Sequence, residues 1–156
     1  MELCTIAYDH PDSVKLISDI QQVYLDRYGE IDVTPVDPAE FAAPLGHFVV
    51  GYVDGGPVAC GGWRAHDEAE HSLRPGDAEI KRMYVAEAMR GRGLARLVLA
   101  SLETAARAAG RKRMVLETGL RQPEAIGLYQ SNGYARIDNF GVYRHHPESL
   151  CFAKDL

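Results

Sequence analysis

The residues best suited to chemistry form a glycine- and arginine-rich run in the middle of the chain. The run Arg90-Gly91-Arg92-Gly93-Leu94-Ala95-Arg96 follows the apolar segment Met83-Tyr84-Val85 and opens an amphipathic stretch. The first backbone N–H groups of a helix have no partner within the helix and carry the positive end of its dipole. Glycine lets an anion reach these amides without a Cβ in the way, and the three arginines add positive charge. The run therefore predicts a pyrophosphate cradle, although a glycine-rich turn can also do no more than start a helix.

Two better-known phosphate motifs do not match this run. The phosphate-binding loop of nucleotide hydrolases requires GxxxxGK[ST], which the chain lacks. The dinucleotide fingerprint GxGxxG would place Arg96 where close packing of helix on sheet requires a small residue. A binder of nucleotide phosphates is the alternative left open by the run alone.

Hydrophobic periodicity indicates the elements that must position this run. Helices are predicted at 11–28, 93–109 and 123–131, the first between the capping residues Asp9, Asp12 and Ser13 and a stop at Gly29. Strands are predicted at 3–8, 46–53, 57–65, 78–85, 113–118, 134–138 and 149–153, with a tight turn at 54–56 and a short helix at 38–42. An antiparallel meander followed by strand–helix–strand predicts an α/β (α+β) domain with a mixed, mostly antiparallel central sheet flanked by helices.

Bulk composition indicates a globular protein. The 156 residues suit a single domain over 1–156, with 46% hydrophobic and 25% charged residues. No apolar run approaches the ~18 residues of a membrane span, and no leader pattern precedes the first strand, so a cytoplasmic protein without a membrane partner is expected. The three cysteines have no CxxC spacing, which suits a reducing compartment, and no ligand-spaced cluster predicts a metal site.

Charge is divided unevenly along the chain. Residues 1–78 hold 14 acidic and 4 basic side chains, whereas residues 79–156 hold 8 acidic and 13 basic ones. The basic second half suits a phosphorylated small molecule, or is simply solvated surface. The net charge of -5 argues against a nucleic-acid partner.

The segment from Ala78 to Tyr134 resembles the GNAT superfamily of acyl-CoA N-acyltransferases. Arg90-x-x-Gly93-x-Ala95 matches the family signature of Gln or Arg, two residues, Gly, one residue, then Gly or Ala. The stretch from Tyr129 to Tyr134 matches the end of the family's late helix, which has a tyrosine, three residues, a glycine and an aromatic residue. Both motifs occur in the family's order, while over residues 1–77 only the order of elements agrees.

The resemblance implies the GNAT fold and acetyl-CoA, or coenzyme A, as the acyl-donor cosubstrate. It places the pantetheine arm against the backbone of Met83, Tyr84 and Val85, as an added strand, and the pyrophosphate on the run from Arg90 to Arg96. It makes Tyr129 the acid that protonates the departing thiolate, where the residue alone could equally be a core tyrosine. Gln122 stands where the family often has a cofactor-contacting asparagine, and its amide is expected to make that contact.

A second catalytic residue must take a proton from the amine. Glu79 is the expected base, because the family often has a glutamate at this strand position and burial could raise the pKa of its carboxyl group. The two-residue period of a strand predicts that it shares a face with Lys81, Met83 and Val85. Glu117 on the next strand is a second candidate, and a structural ion pair is the alternative role for Glu79.

The predicted function is an N-acetyltransferase that moves an acetyl group from acetyl-CoA directly to an amine in a ternary complex. Neither motif contains a cysteine, which argues against a covalent acyl-enzyme. A small-molecule amine is the expected acceptor, with a peptide or protein amine, or a non-catalytic CoA-binding regulatory module, as alternatives. Tyr28, Phe41 and Trp63 could line the acceptor pocket or pack in the core. A monomer or a homodimer is expected.

Overall fold

The computed structural model describes all residues from Met1 to Leu156, and its strands form a single seven-stranded sheet. The strands are β1 (Glu2–Thr5), β2 (Gly46–Val53), β3 (Gly56–His66), β4 (Asp77–Val85), β5 (Arg113–Gly119), β6 (Ala135–Ile137) and β7 (Ser149–Asp155). The helices are α1 (Pro11–Tyr28), α2 (Leu94–Ala108) and α3 (Pro123–Ser131), with short 3₁₀ turns at Pro38–Phe41 and Glu87–Met89. None of the helices combines the length and the apolar character needed to cross a bilayer.

The sheet is mixed and mostly antiparallel, as the element order predicted. Its strand order is β1-β2-β3-β4-β5-β7-β6, and only the β4–β5 pair is parallel. Successive residues of a strand point to opposite faces, so each strand contributes to two cores. Val49 packs in the cluster that contains Val98 of α2, whereas Val50 packs with Leu16 of α1. Helices therefore cover both faces, which confirms the predicted fold class.

The element boundaries differ from the sequence prediction mainly at the edges of the sheet. Helix α1 begins at Pro11 and ends before Gly29, whose φ of 79° is left-handed, as predicted. Its N-terminal cap is His10, whose side chain accepts the Asp12 N–H, while the hydroxyl of Ser13 donates to the carbonyl of Ala7. The edge strands β1 and β6 are shorter than predicted, because an edge strand has a partner on one side only.

The two parallel strands separate soon after they meet. Pairing between β4 and β5 runs only from Asp77 opposite Arg113 to Glu79 opposite Val115. Beyond that point β4 is held by β3 and β5 by β7, each on its outer side. The inner edges of both strands are thus left without a strand partner, and a cleft opens between them.

A bulge in β4 changes which side chains face which layer. Cys60 of β3 lies opposite Tyr84, but Gly62 lies opposite Lys81, so one residue of β3 faces two of β4. Arg82, at the bulge, has a φ of 61°, a left-handed conformation that is uncommon for a side chain of this size. The bulge shifts the alternation of side chains by one residue.

The bulge overturns one expectation about the predicted catalytic strand. Lys81 and Arg82 both face the α1 layer, where they meet Asp32. Met83 and Val85 instead pack against the core that contains α2. The prediction that Glu79 shares a face with Met83 and Val85 is therefore wrong, because it assumed an uninterrupted two-residue period.

Candidate active site

The glycine-rich run forms an open turn at the start of α2. Gly93 caps the helix with a left-handed φ of 75°, and no side chain bonds to the first amides of the helix. Gly91 has a φ of 78°, and a Cβ built at either glycine would have no atom within 4 Å. The amides of the first turn therefore face open space, where the helix dipole favours an anion. This geometry fits the diphosphate of coenzyme A.

Two arginines flank the turn without a carboxylate partner. Arg90 donates from Nε to the carbonyl oxygen of Val85, 3.1 Å away, and lies over the ring of Tyr84. Arg96 donates to the side-chain oxygens of Ser131 and Asn132. These neutral acceptors orient both guanidinium groups but leave their positive charge uncompensated, which suits a phosphate ligand.

One cavity of about 560 Å³ connects this turn with the cleft between β4 and β5. Of the predicted site residues, the lining includes Met83, Tyr84, Val85, Arg90, Gly91, Gly93, Leu94, Ala95, Arg96, Gln122 and Tyr129. Glu79 and Arg92 do not line it. Among the aromatic candidates, Tyr28 lines the cavity, whereas Phe41 and Trp63 are buried in the two cores.

Tyr129 is almost fully buried on α3, and it is one of the residues that line the cavity. Its ring packs edge-on against Tyr134, with 5.5 Å between ring centroids. Burial raises the pKa of the Tyr129 hydroxyl, because a phenolate would be poorly solvated there. The hydroxyl therefore stays protonated at neutral pH and can act as a donor.

Glu79 lies in a buried ion-pair network. Its Oε1 accepts from Arg64 Nε at 2.9 Å and lies 2.8 Å from His66 Nε2. Burial alone would raise the pKa of Glu79, but the bond to His66 and the charges of Lys81 and Arg64 outweigh it and hold the pKa at about 2. A carboxylate with so low a pKa is a poor proton acceptor, and this arrangement matches the alternative role of a structural ion pair.

Glu117 has the opposite environment. It lines the cavity from β5, one strand away from Glu79. Burial raises its pKa to about 7, and the nearby charge of Lys81 offsets only part of this effect. Its carboxyl group takes part in no ion pair within 4 Å. Of the two glutamates considered as bases, Glu117 has the better location and the better pKa.

Hydrogen bonds and an ion pair connect the end of α1 to α3 and the loop that precedes it. The Tyr28 hydroxyl accepts the N–H of Arg121 at 3.2 Å and the amide of Gln122 at 3.4 Å. Arg27 forms an ion pair with Glu124, and Arg121 donates back to the carbonyl of Arg27. These contacts fix the position of Gln122, the predicted cofactor-binding amide, at the wall of the cavity.

Two loops close the cavity on the side away from the glycine-rich turn. Val33, after α1, donates its N–H to the hydroxyl of Tyr143, before β7, at 2.9 Å. Asp32 and Tyr143 both line the cavity. Burial would raise the pKa of Asp32, but the charge of Lys81 and hydrogen bonds from Thr34 lower it to about 2. Asp32 and Tyr143 give this part of the lining a polar character.

Sequence reasoning assigned no acceptor-site role to Lys81, Asp32 or Tyr143. They come from three distant parts of the chain, so no motif spacing connects them. One local signal was available for Lys81 alone, because a lysine inside a strand that is otherwise buried needs a partner.

A sheet that splits between two parallel strands, with an open helix start beside the split, defines the site of an acyl-CoA-dependent N-acyltransferase. The sequence model of the acetyltransferase (GNAT) family matches residues 16–134. The chain belongs to this family, whose members transfer acetyl groups from acetyl-CoA to amines.

Individual relatives agree with this assignment. An IAA acetyltransferase of Azospirillum brasilense is 35% identical over an alignment of 155 positions, and the alignment covers 97% of each chain. A candidate acyl-CoA N-acyltransferase of Klebsiella pneumoniae superposes with a TM-score of 0.80 at 28% identity, over 99% of this chain and 97% of that one. A GNAT acetyltransferase of Elizabethkingia anophelis with acetyl-CoA bound shares the fold, with a TM-score of 0.66 at 16% identity over 99% of this chain and 97% of that one.

Proposed function

We propose that this enzyme acetylates the amine of a small molecule by direct transfer from acetyl-CoA in a ternary complex. The observation that carries the proposal is that one continuous cavity is lined both by the open turn at Gly93 and by Tyr129 and Glu117. The hydrogen bond between Val33 and Tyr143 joins two loops beside that cavity, which favours a small acceptor over a long peptide.

The bound thioester would supply an activated acetyl carbon and a thiolate leaving group. Amides at the start of α2, with Arg90 and Arg96, would hold the diphosphate, and the free inner edge of β4 from Met83 to Val85 would pair with the pantetheine arm. Gln122, held in place by its hydrogen bond to Tyr28, would contact the pantetheine arm from the opposite wall of the cavity.

Glu117 and Tyr129 would divide the proton transfers. Glu117 takes a proton from the acceptor ammonium, which frees the nitrogen lone pair for attack on the acetyl carbon. As the C–N bond forms and the C–S bond breaks, Tyr129 donates a proton to the sulfur. An ammonium gives up two protons on becoming an amide: the first leaves to solvent from Glu117, and the second replaces the proton that Tyr129 gave to the sulfur. Glu79 would act indirectly, by holding Lys81 and Arg64 in place.

The test is release of coenzyme A, detected with a thiol reagent, over a broad panel of primary amines. Tyr129→Phe is expected to lower kcat about 100- to 1,000-fold while the Kd for coenzyme A stays the same, because only the proton donor is removed. Tyr134→Phe is the matched control: this buried tyrosine touches Tyr129, but its hydroxyl donates to Glu103 outside the cavity. It should lose stability and keep turnover.

Two outcomes would contradict the proposal. Tight binding of coenzyme A without turnover on any amine would favour a non-catalytic CoA-binding module. Turnover on peptide amines that exceeds turnover on all small amines would assign the enzyme to the peptide-modifying alternative.

A further inference from the structure

A buried lysine faces the cavity without a hydrogen-bond partner. The side chain of Lys81 is 9% exposed and lines the cavity. Its closest acceptors are Asp32 Oδ2 at 3.5 Å and Glu79 Oε2 at 3.8 Å. Both distances exceed the roughly 2.7–3.2 Å of an N–H···O hydrogen bond. The two carboxylates balance the charge of the ammonium group, but its N–H donors make no hydrogen bond of normal length and remain available to an acceptor in the cavity.

The neighbouring carboxylates already have closer partners. Asp32 accepts from Arg82 Nη1 at 2.8 Å and, through its other oxygen, from the Thr34 N–H at 2.9 Å. Glu79 is bonded to Arg64 and His66 through Oε1, while its Oε2 lies 3.8 Å from Lys81 and has no closer partner. Both carboxylates thus balance the charge of Lys81 without a hydrogen bond to it, and its N–H donors can still bind a ligand in the cavity.

A buried hydroxyl group lies on the same wall of the cavity. Ser149 is 8% exposed and lines the cavity, and its hydroxyl lies beside the carboxyl group of Glu117 without a hydrogen bond of normal geometry to any residue. In the β5–β7 ladder, Ser149 lies opposite Gly119 and Cys151 lies opposite Glu117, so Ser149 and Glu117 are diagonal neighbours on one face. Glu79 of β4 lies opposite Val115, two residues before Glu117, so Lys81, two residues after Glu79, shares that face. Three strands thus bring an ammonium, a carboxyl and a hydroxyl group to one wall.

The chemistry of these three groups defines a ligand class. An ammonium and a hydroxyl donor suit the two oxygens of a carboxylate, and a bond to a charged group is stronger than a neutral one. Glu117, the proposed base, suits an ammonium. We propose that the acceptor is an amine that also carries a carboxylate, such as an amino acid. Its carboxylate lies against Lys81 and Ser149 and its amine against Glu117. This inference rests on the proposed function and adds the substrate class.

The test compares matched acceptors. Each of the common amino acids is assayed beside its carboxamide and its decarboxylated amine, for example phenylalanine, phenylalaninamide and 2-phenylethylamine. The wild-type enzyme is expected to prefer at least one acid over both counterparts about 10- to 100-fold in kcat/KM, which is the fold-change expected for a hydrogen bond to a charged group. In Lys81→Met this preference should fall to about one, mainly through KM.

Two variants control for indirect effects. Lys15→Met removes an exposed lysine that pairs with Asp19 on α1 and does not line the cavity, and it should keep the preference. Ser149→Ala should reduce the preference by a smaller factor, because it removes a neutral donor only.

A binding measurement makes the inference independent of turnover. Isothermal titration calorimetry measures the binding of N-acetylphenylalanine and of N-acetyl-2-phenylethylamine in the presence of coenzyme A. For each other amino acid in the panel, the N-acetylated acid is compared with its N-acetylated decarboxylated amine in the same way. Tighter binding of the acid in the wild type, lost in Lys81→Met, supports the inference. Equal binding of acid and neutral product, or turnover of plain amines at the rate of the best amino acid, overturns it while the acetyltransferase function stands. Absence of turnover on every amine refutes the proposed function, and the titration then decides the substrate class alone.

Discussion

Replacing Glu117 by glutamine tests which carboxylate is the base. The pKa of Glu117 is raised to about 7 by burial, whereas that of Glu79 is lowered to about 2. A base works only when ionised. With a pKa of about 7, the ionised fraction of Glu117 is about one tenth at pH 6 and about nine tenths at pH 8. We therefore expect kcat/KM of the wild-type enzyme to rise about tenfold over this interval, with unit slope below pH 6.

Glu117→Gln removes the titrating group and keeps the shape of the side chain. The rise in kcat/KM between pH 6 and pH 8 should disappear, and the remaining rate at pH 8 should be about 100- to 1,000-fold lower, as for loss of a general base. The assay is a pH profile of thiol release, with an acceptor whose amine pKa lies above 9 so that its own ionisation stays constant. Saturating acetyl-CoA separates the effect from cofactor binding.

The same substitution on the neighbouring strand provides the control. Glu79→Gln should leave the rise near pH 7 in place, because a group with a pKa of about 2 is ionised throughout the measured range. If the rise vanishes in Glu79→Gln and persists in Glu117→Gln, the roles of the two glutamates are reversed and the argument from burial is refuted.

Two further substitutions test the parts of the structure around the site. Glu79→Ala should lower the free energy of unfolding by about 2–3 kcal/mol at pH 7, since Arg64 and His66 lose a buried acceptor while Arg64 keeps its pair with Glu40. Because the folded-state pKa of Glu79 is depressed, its contribution to stability is present above about pH 4.5 and is lost as the pH falls toward 2. Chemical denaturation should therefore show a smaller difference in stability between wild type and variant at pH 3 than at pH 7. Gly93→Ala should lower the free energy of unfolding by about 1–2 kcal/mol because of its positive φ, and it should also raise the Kd for coenzyme A. Gly110→Ala, with a φ of 76° and equally open surroundings, should cost the same stability and leave the Kd unchanged. Equal Kd values for the two glycine variants would show that no phosphate approaches the turn.

The elements near the cofactor turn were predictable because their signals are local. A glycine that must adopt a positive φ, an apolar stripe every three to four residues and a proline at a helix start are properties of neighbouring residues. Helix α3 and strand β2 accordingly begin and end where the sequence placed them. The predicted strand boundaries were wrong at the sheet edges, where strand length depends on a partner from elsewhere in the chain.

The acceptor side shows the limit of such reasoning. The bulge at Arg82 depends on how β4 pairs with β3, and its left-handed backbone is held by the contacts of Arg82 with Tyr8 and Asp32. A period of two applied to the sequence alone could not include it. The ionisation state of Glu79 could not be predicted for the same reason, because its pKa depends on Arg64 and His66, which belong to another strand.

The sequence by itself therefore determined the order of elements, the fold class and the turn from Arg90 to Arg96, since each follows from residues close together along the chain. The tertiary structure alone decided which glutamate lines the cavity and which is held in ion pairs. It also decided that Lys81 and Ser149 face the cavity without a hydrogen bond of normal geometry to another residue. The physical reason is that burial and the charges of distant neighbours set the state of an ionisable group, and neither is defined until the strands have paired.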